Sequence, residues 1–378
     1  MCIRSADQGD SYSSLIRKDA SHHTTSLYVE GLYRCGGAMA KLLRPTEEGL
    51  REAVEILAEG GLVAFPTETV YGLGADASNP VAVSRVYEVK GRPRNQPLIL
   101  HVSGMEMFLK CVHEVPEDAY RLAEVFWPGP LTIVLPKAGW VPKEVTGGGG
   151  KVGVRWPAHR VAETIISMLD RPVVAPSANR SGRPSPTLPS HVMDDLGQLI
   201  DAVVDGGETL IGIESTVLDL TTDPPRVLRP GAVPVEEIVK VLGREVVISA
   251  APRSEAPRYR PGKPLAVIEC WEGRDVCEVL KEACGELGFT DPVVLVVDEV
   301  MGAVKECFTQ VISLGSREEP LEVGRRLFRV LREAEGLRGD GIIALSLPSE
   351  GGLWVAISHR LREAASTVFN ICSHYSPS

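Results

Sequence analysis

The stretch PTETVYGLGA at 66–75 follows an apolar run at 62–65, so Thr67, Glu68, Thr69 and Tyr71 fall where a strand opens into a glycine-bearing turn. Sites concentrate at such exits, because a rigid scaffold there presents polar groups on a loop. One short helix later, KGRPRNQPLILH at 90–101 gathers Lys90, Arg92 and Arg94 around a glycine and a proline. Those two residues interrupt a regular helix and aim the three cations at an anion, for which polyphosphate is the natural candidate.

Upstream of this pair, Leu50, Ala53, Val54, Leu57 and Ala58 recur at helical spacing after Thr46, and Gly60 with Gly61 stops the helix. Asn79 and Pro80 cap the helix that carries Tyr87 and ends near Lys90 and Gly91, and 98–102 returns as a strand. Downstream, WPGP at 127–130 breaks the chain before a strand at 131–135, and four glycines at 147–150 lead into KVGVRWP. A helix at 162–169 and a strand at 172–175 open into PSANRSGRPSPT, the second polar turn. Residues 196–204 mix helix and strand signals, after which IESTVLDL and RVLRPG read as a hairpin pair. Short strands among helices, without a regular βαβ rhythm, predict an α+β domain at 41–249 built on a twisted, largely antiparallel or mixed sheet.

Residues 1–40 are polar, with serine-rich segments, His22 beside His23 and no apolar period, so they read as a disordered extension, with Met39 as an alternative start. The segment 250–264 is rich in proline, arginine and alanine and reads as a linker. From 265 to 378, strands at 265–270, 293–297, 311–314 and 342–347 alternate with helical patterns that include 321–335 and 355–365. That rhythm predicts a small parallel, Rossmann-like α/β domain. The two halves share no internal repeat.

With 378 residues, 44% of them hydrophobic, the chain can fill two cores, and no apolar run approaches membrane-spanning length. The expected location is the cytoplasm. A net charge of -10 argues against broad capture of nucleic acid but allows a local basic pocket. The eight cysteines form no CxxC pair. Cys270, Cys277 and Cys284 recur every seventh residue, but the first ends a strand while the others share a helix, so they read as ordinary buried thiols and no protein-bound metal is expected.

Two common nucleotide signatures fail. After Lys151 comes Val152, not serine or threonine, and no glycine stands five positions before Gly150, so 147–151 is not a phosphate loop of the Walker type. Gly72 and Gly74 lack a third glycine in register, which removes the dinucleotide fingerprint. What remains is a set of polar residues at strand exits: Thr67, Thr69, Lys90, Arg92, His101, Arg155, Ser177, Asn179, Ser215 and Arg229. Each alone could be a turn residue or a solvated end. Together they could meet at one edge of a sheet.

PTETVYGLGA, KGRPRNQPL, WPGPLTIVL, VGVRWP, PSANRSG, ESTVLD and LRPGA, in this order, resemble the YrdC-like family of threonylcarbamoyl-AMP synthases, and GLWVAISHRLREAAS resembles the C-terminal domain of its long form. The resemblance implies a twisted sheet with a positively charged concave cavity. It implies an L-threonylcarbamoyladenylate synthase, a nucleotidyltransferase using L-threonine, bicarbonate and ATP with Mg²⁺. The product would pass to a tRNA threonylcarbamoyl transferase that modifies the adenosine beside the anticodon. By the same resemblance, Lys90 and Arg92 hold the phosphates and act in catalysis, with Gln96, Lys151, Ala175, Ser177, Asn179, Ser185, Arg229 and Tyr259 on ATP. Thr69, His101, Arg155 and Ser215 fall where threonine or its carbamate binds. Lys151 stands where the family more often has a small hydroxyl residue, and APRSEAPR before Tyr259 replaces the usual GMKYRH-like run.

Two other readings stay open. The basic cavity could bind double-stranded RNA without catalysis, as a main role or as a weak accessory one, or the domain could transfer carbamoyl groups as in hydrogenase maturation proteins, whose acylphosphatase and zinc-finger segments are missing from this sequence. The enzyme reading further predicts that 250–264 forms a lid and that Tyr259 closes on the nucleotide, since a carbamate and an acyl-adenylate both need shelter from water. The plain alternative is a tether with Tyr259 packed between domains.

Overall fold

Apolar residues alternate along the strand Val63–Pro66: Val63 and Phe65 face one cluster of buried side chains, and Ala64 faces another. That period of two puts both faces of the strand under cover. The computed structural model in which this is seen describes residues 39–249 and 258–374, together with an antiparallel strand pair at Tyr28–Val29 and Tyr33–Arg34. The rest of the predicted N-terminal extension, His22 and His23 included, and residues 250–257 of the linker lie outside the described residues.

Among the described residues the first domain holds one eleven-stranded sheet. Its edge is Val247–Ile248, followed by Arg226–Arg229, Thr216–Asp219, Leu131–Pro136, Lys151–Arg155 and Ile99–His101. Val173–Val174, Tyr71–Asp76, Val63–Pro66, Ala202–Val204 and Lys41–Leu43 complete it. Parallel and antiparallel neighbours are equally common, so the sheet is mixed. The ambiguous segment 196–204 divides cleanly into the end of a helix, Pro189–Leu196, and the strand Ala202–Val204.

Helix Glu47–Ala58 starts because the Thr46 hydroxyl accepts the Gly49 amide, and Glu47 and Glu48 sit at its positive end. Its Leu50, Ala53 and Leu57 pack with Ile165 and Ile166 of helix Arg160–Leu169 over one face of the sheet. The other face is covered by helices that include Pro80–Lys90, Glu117–Phe126 and Val235–Leu242.

The second domain is a five-stranded, all-parallel sheet in the order Val311–Ser313, Val293–Val296, Ile342–Leu345, Leu265–Glu269, Thr367–Asn370. The last strand escapes the sequence pattern, because the four residues TVFN carry too little of it to separate them from the end of the preceding helix. The cysteine expectation also needs correction. Cys277 is bonded to Cys307, joining helix Val276–Leu287 to the turn after helix Asp298–Lys305, while Cys270 and Cys372 are exposed. A pairing across 30 residues leaves no spacing signal in the sequence.

The two domains share a core. Val70 and Ile213 of the first belong to the same buried cluster as Leu327 and Phe328 of the long helix Pro320–Gly336. That helix is pinned by Arg332 to Asp195 at 2.7 Å, Arg329 to Glu208 at 3.0 Å and Arg183 to Glu335 at 2.7 Å.

Candidate active site

The two polar turns predicted from sequence are stitched to each other. Helix Pro80–Lys90 ends on Gly91, whose left-handed φ of 62° suits a residue without a side chain and turns the chain so that Arg92 follows at once. The Lys90 carbonyl accepts the Ser181 amide at 2.7 Å, and the Lys90 ammonium donates to the carbonyls of Ser177 and of Asn179, the latter at 2.6 Å. Lys90 is 3% exposed, and burial, with Arg92 adding to it, pulls its ammonium down to about 7. Its first task is therefore to fix the PSAN turn.

These turns border a cavity of about 650 Å³. Among the described residues, Lys90, Arg92, Lys151, Arg183, Arg229 and Arg258 line it against Glu214 and Asp219, four more basic side chains than carboxylates. In a protein of net charge -10 this is a local basic pocket. Gln96, Ser177, Asn179 and Tyr259 line it as well. Lys151 reaches the wall but spends its ammonium on Asp219 at 3.0 Å. The LRPG turn that carries Arg229 can lie flat on the neighbouring strand because Gly231 has no side chain. A Cβ there would stand 2.3 Å from the backbone of Ser215 and Thr216.

Behind Arg229 lies a second group. Arg229 donates to the Ser215 carbonyl at 2.8 Å and to its hydroxyl at 3.1 Å, and the Ser215 hydroxyl also meets that of Thr132 at 2.8 Å. His101 and Arg155 are register partners on neighbouring parallel strands. Burial, with Arg155 beside it, pushes the His101 imidazole down to about 3, so it is neutral at ordinary pH. Thr69 joins its hydroxyl to that of Thr67 at 2.7 Å. Between them sits Glu68, 2.8 Å from Arg155.

The predicted residues thus fall into two sets. Lys90, Arg92, Gln96, Lys151, Ser177, Asn179, Arg229 and Tyr259 share the cavity wall. Thr69, His101, Arg155 and Ser215 form the buried group behind it. Ala175 and Ser185 are buried and do not line the cavity themselves; Ser185 reaches it through its hydrogen bond to Glu214 at 2.6 Å. Tyr259 lines the cavity and also packs at a tilt against Phe328 of the second domain, with ring centroids 5.0 Å apart. Sequence reasoning places Glu68 at a strand exit without giving it a role, and passes over Arg183, Glu214, Asp219, Arg258 and Arg360. Glu68, Arg183, Glu214 and Asp219 stand within or beside the sequence motifs, and Arg360 lies within GLWVAISHRLREAAS, but nothing in that run points it at the cavity.

A family model described as telomere recombination, covering the Sua5, YciO and YrdC group, matches residues 55–231. A model of the threonylcarbamoyl-AMP synthase C-terminal domain matches residues 233–366. The threonylcarbamoyl-AMP synthase of Pyrococcus abyssi is 42% identical over 338 residues, which are 85% of this chain and 95% of that protein. The chain belongs to the threonylcarbamoyl-AMP synthase family. Another threonylcarbamoyl-AMP synthase, from Bacillus subtilis, is 38% identical over 85% of this chain and 94% of its own length. The crystal structure of P. abyssi Sua5 complexed with L-threonine superposes with a TM-score of 0.77 and 40% identity, covering 88% of this chain and 100% of that one. Both domains of the chain are therefore matched within one threonylcarbamoyl-AMP synthase architecture.

Proposed function

We propose that the protein is a nucleotidyltransferase of tRNA modification that joins L-threonine, bicarbonate and ATP into threonylcarbamoyl-AMP and pyrophosphate. The observation that carries this reading is the cavity wall, with six basic side chains against two carboxylates, backed by the buried group of Thr69, His101, Arg155 and Ser215. The basic wall suits a polyphosphate, and the buried polar residues suit a small zwitterion. Hydroxyls, a neutral imidazole and a guanidinium are groups that can hold an amino acid's carboxylate and side-chain hydroxyl.

Bicarbonate takes up a proton to give CO₂ and water, and the deprotonated threonine amine adds to the CO₂ and loses a proton, so the net products are the carbamate and water. A carbamate oxygen then attacks the α-phosphorus of ATP; the bond to the bridging oxygen breaks and its electron pair leaves with pyrophosphate. No covalent link to the protein is needed. Arg92, Arg229 and Arg258 supply charge-assisted donors where negative charge develops on the polyphosphate, and Lys90 holds the turn that faces it. Tyr259 and the C-terminal domain behind it shield the carbamate from water.

Magnesium enters this scheme as part of the substrate MgATP. Of the two wall carboxylates, Glu214 is engaged by Ser185 and Arg360, and Asp219 by Lys151 and Thr221. Neither is left to build a resident metal site, so phosphate oxygens and water would hold the ion. In the same reading the protein works in the cytoplasm and hands its product to a tRNA threonylcarbamoyl transferase.

Pyrophosphate release tests the proposal. It should require threonine and bicarbonate together, and serine should serve less well, because one methyl in a fitted pocket is worth roughly 1–3 kcal/mol. Equal release with either omitted overturns it.

A further inference from the structure

Arg360 has no solvent exposure. It belongs to helix Trp354–Ala364 of the C-terminal domain, yet its partners lie in the first domain and the linker. Its Nε donates to Glu214 Oε2 at 3.1 Å, its Nη1 donates to the Pro230 carbonyl, and its guanidinium carbon stands 6.0 Å from the centre of the Tyr259 ring. Nη2 has no hydrogen-bond partner among the described residues. Each of the three segments it touches puts a side chain on the cavity wall: Glu214 itself, Arg229 beside Pro230, and Tyr259.

Of the other interdomain ion pairs, Arg332–Asp195 is buried but off the cavity wall, and Arg183–Glu335 puts Arg183 on the wall but is part-exposed. Arg329 is 37% exposed at its side chain and meets Glu208, which does not line the cavity. A buried guanidinium is expensive to desolvate, and it is tolerated where several fixed acceptors surround it. Here the acceptors belong to the wall. Burial works to raise the Glu214 carboxyl, but Arg360, Arg229 and Ser185 hold it below its usual range, so it stays ionised and compensated. A lone carboxylate in the same place would repel ATP. Oriented by Arg360, Glu214 instead accepts the Ser185 hydroxyl with its second oxygen.

We propose that Arg360 is a positioning residue of the nucleotide site, supplied by the C-terminal domain: it neutralises and orients Glu214, steadies the Pro230 turn behind Arg229, and holds Tyr259 at the cavity mouth. This rests on the nucleotide reading of the cavity. The C-terminal domain is then part of the catalytic centre, and the linker brings it there.

The test uses the full chain carrying Arg360→Lys, Arg360→Met, Glu214→Gln, or Arg360→Met with Glu214→Gln, beside Arg329→Met as an interdomain control. KM for ATP and for threonine and kcat come from pyrophosphate release, melting temperature from thermal unfolding, and affinity for a non-hydrolysable ATP analogue from calorimetry. Arg360→Met should raise KM for ATP at least tenfold with KM for threonine within about twofold. Arg360→Lys, which keeps the charge, should recover part of that loss. The double variant, which leaves no unpaired buried charge, should regain melting temperature but keep the raised KM for ATP. Arg329→Met should lower melting temperature alone. If Arg360→Met does not fold, the lysine and double variants decide. Wild-type KM for ATP in these two overturns the proposal and reduces Arg360 to a structural clamp. A wild-type protein that fails to bind the analogue overturns the nucleotide reading itself.

Discussion

Glu68 and Arg155 meet at 2.8 Å with only 4% and 5% of their side chains exposed, and among the described residues neither Glu68 carboxylate oxygen has a directed hydrogen bond. Arg155 keeps its place through the Gly129 carbonyl, which accepts its Nε at 3.2 Å. The pair is thus close but incompletely satisfied, with bonding capacity left on both partners. An amino acid, with a carboxylate for Arg155 and an amine beside Glu68, would use that capacity. Breaking such a buried pair from one side costs about 3–5 kcal/mol, because the other charge is stranded. Arg155→Met should lower the melting temperature and raise KM for threonine more than KM for ATP. Threonine should raise the melting temperature of the wild type, by about 2.7 kcal/mol of stabilisation at a hundred times its Kd, and that shift should vanish in the variant. An unchanged threonine shift would remove Arg155 from the threonine site.

Lys90 gives a pH dependence with a definite sign. Its ammonium lies near 7 when folded against an ordinary 10.5, chiefly through burial and then through Arg92. Between those values the folded chain holds fewer protons at this site than the unfolded chain, so this group's contribution to stability rises with pH across that window. A bound polyphosphate favours the charged form. Binding of an ATP analogue at pH 8 should therefore take up protons and weaken as pH rises. Calorimetry in buffers of different ionisation enthalpy measures the uptake; heats that do not depend on buffer contradict it.

The contacts of Tyr259 run through its ring. The ring packs at a tilt against Phe328 and lies under Arg360, and burial, followed by Glu214, pushes the phenol up to about 12, so it stays neutral. Its φ of 56° is unusual for a residue with a side chain and fits a constrained position at a site. Tyr259→Phe should keep the melting temperature and most ATP affinity, while Tyr259→Ala should lose affinity and release more free AMP. Equal behaviour of the two variants would leave the linker as a tether.

The disulfide closes a separation of 30 residues within the second domain. Chain-entropy arguments make that worth roughly 3–4 kcal/mol. Reduction should free two additional titratable thiols and lower the melting temperature. If the C-terminal domain serves the site through Arg360, a reduced protein that stays folded should keep KM for ATP. No gain in thiols on reduction would refute the bond.

Local chemistry made much of this legible. PTET, PSAN and LRPG each place polar residues at a strand exit, KGR follows a helix end, and the Lys90 side chain ties KGR to the PSAN turn. The parallel second domain shows in the alternation of apolar runs with helical periods. Contacts between distant segments stay hidden. Arg360 lies 146 positions from Glu214, and its helix reads as an ordinary amphipathic one. The motif around Lys90 predicts an ammonium aimed at phosphate. Its anchoring to two carbonyls depends on the fold of the PSAN turn, which no spacing in the sequence reports.

The most direct measurement follows the carbon atom that distinguishes a threonylcarbamoyl from a threonyl adenylate. The protein, incubated with ATP, Mg²⁺, L-threonine and ¹³C-labelled bicarbonate, should yield by mass spectrometry an adenylate carrying threonine and one labelled carbon, in step with pyrophosphate. Formation of threonyl-adenylate without the label, or of AMP alone at the same rate with threonine left out, would contradict the account.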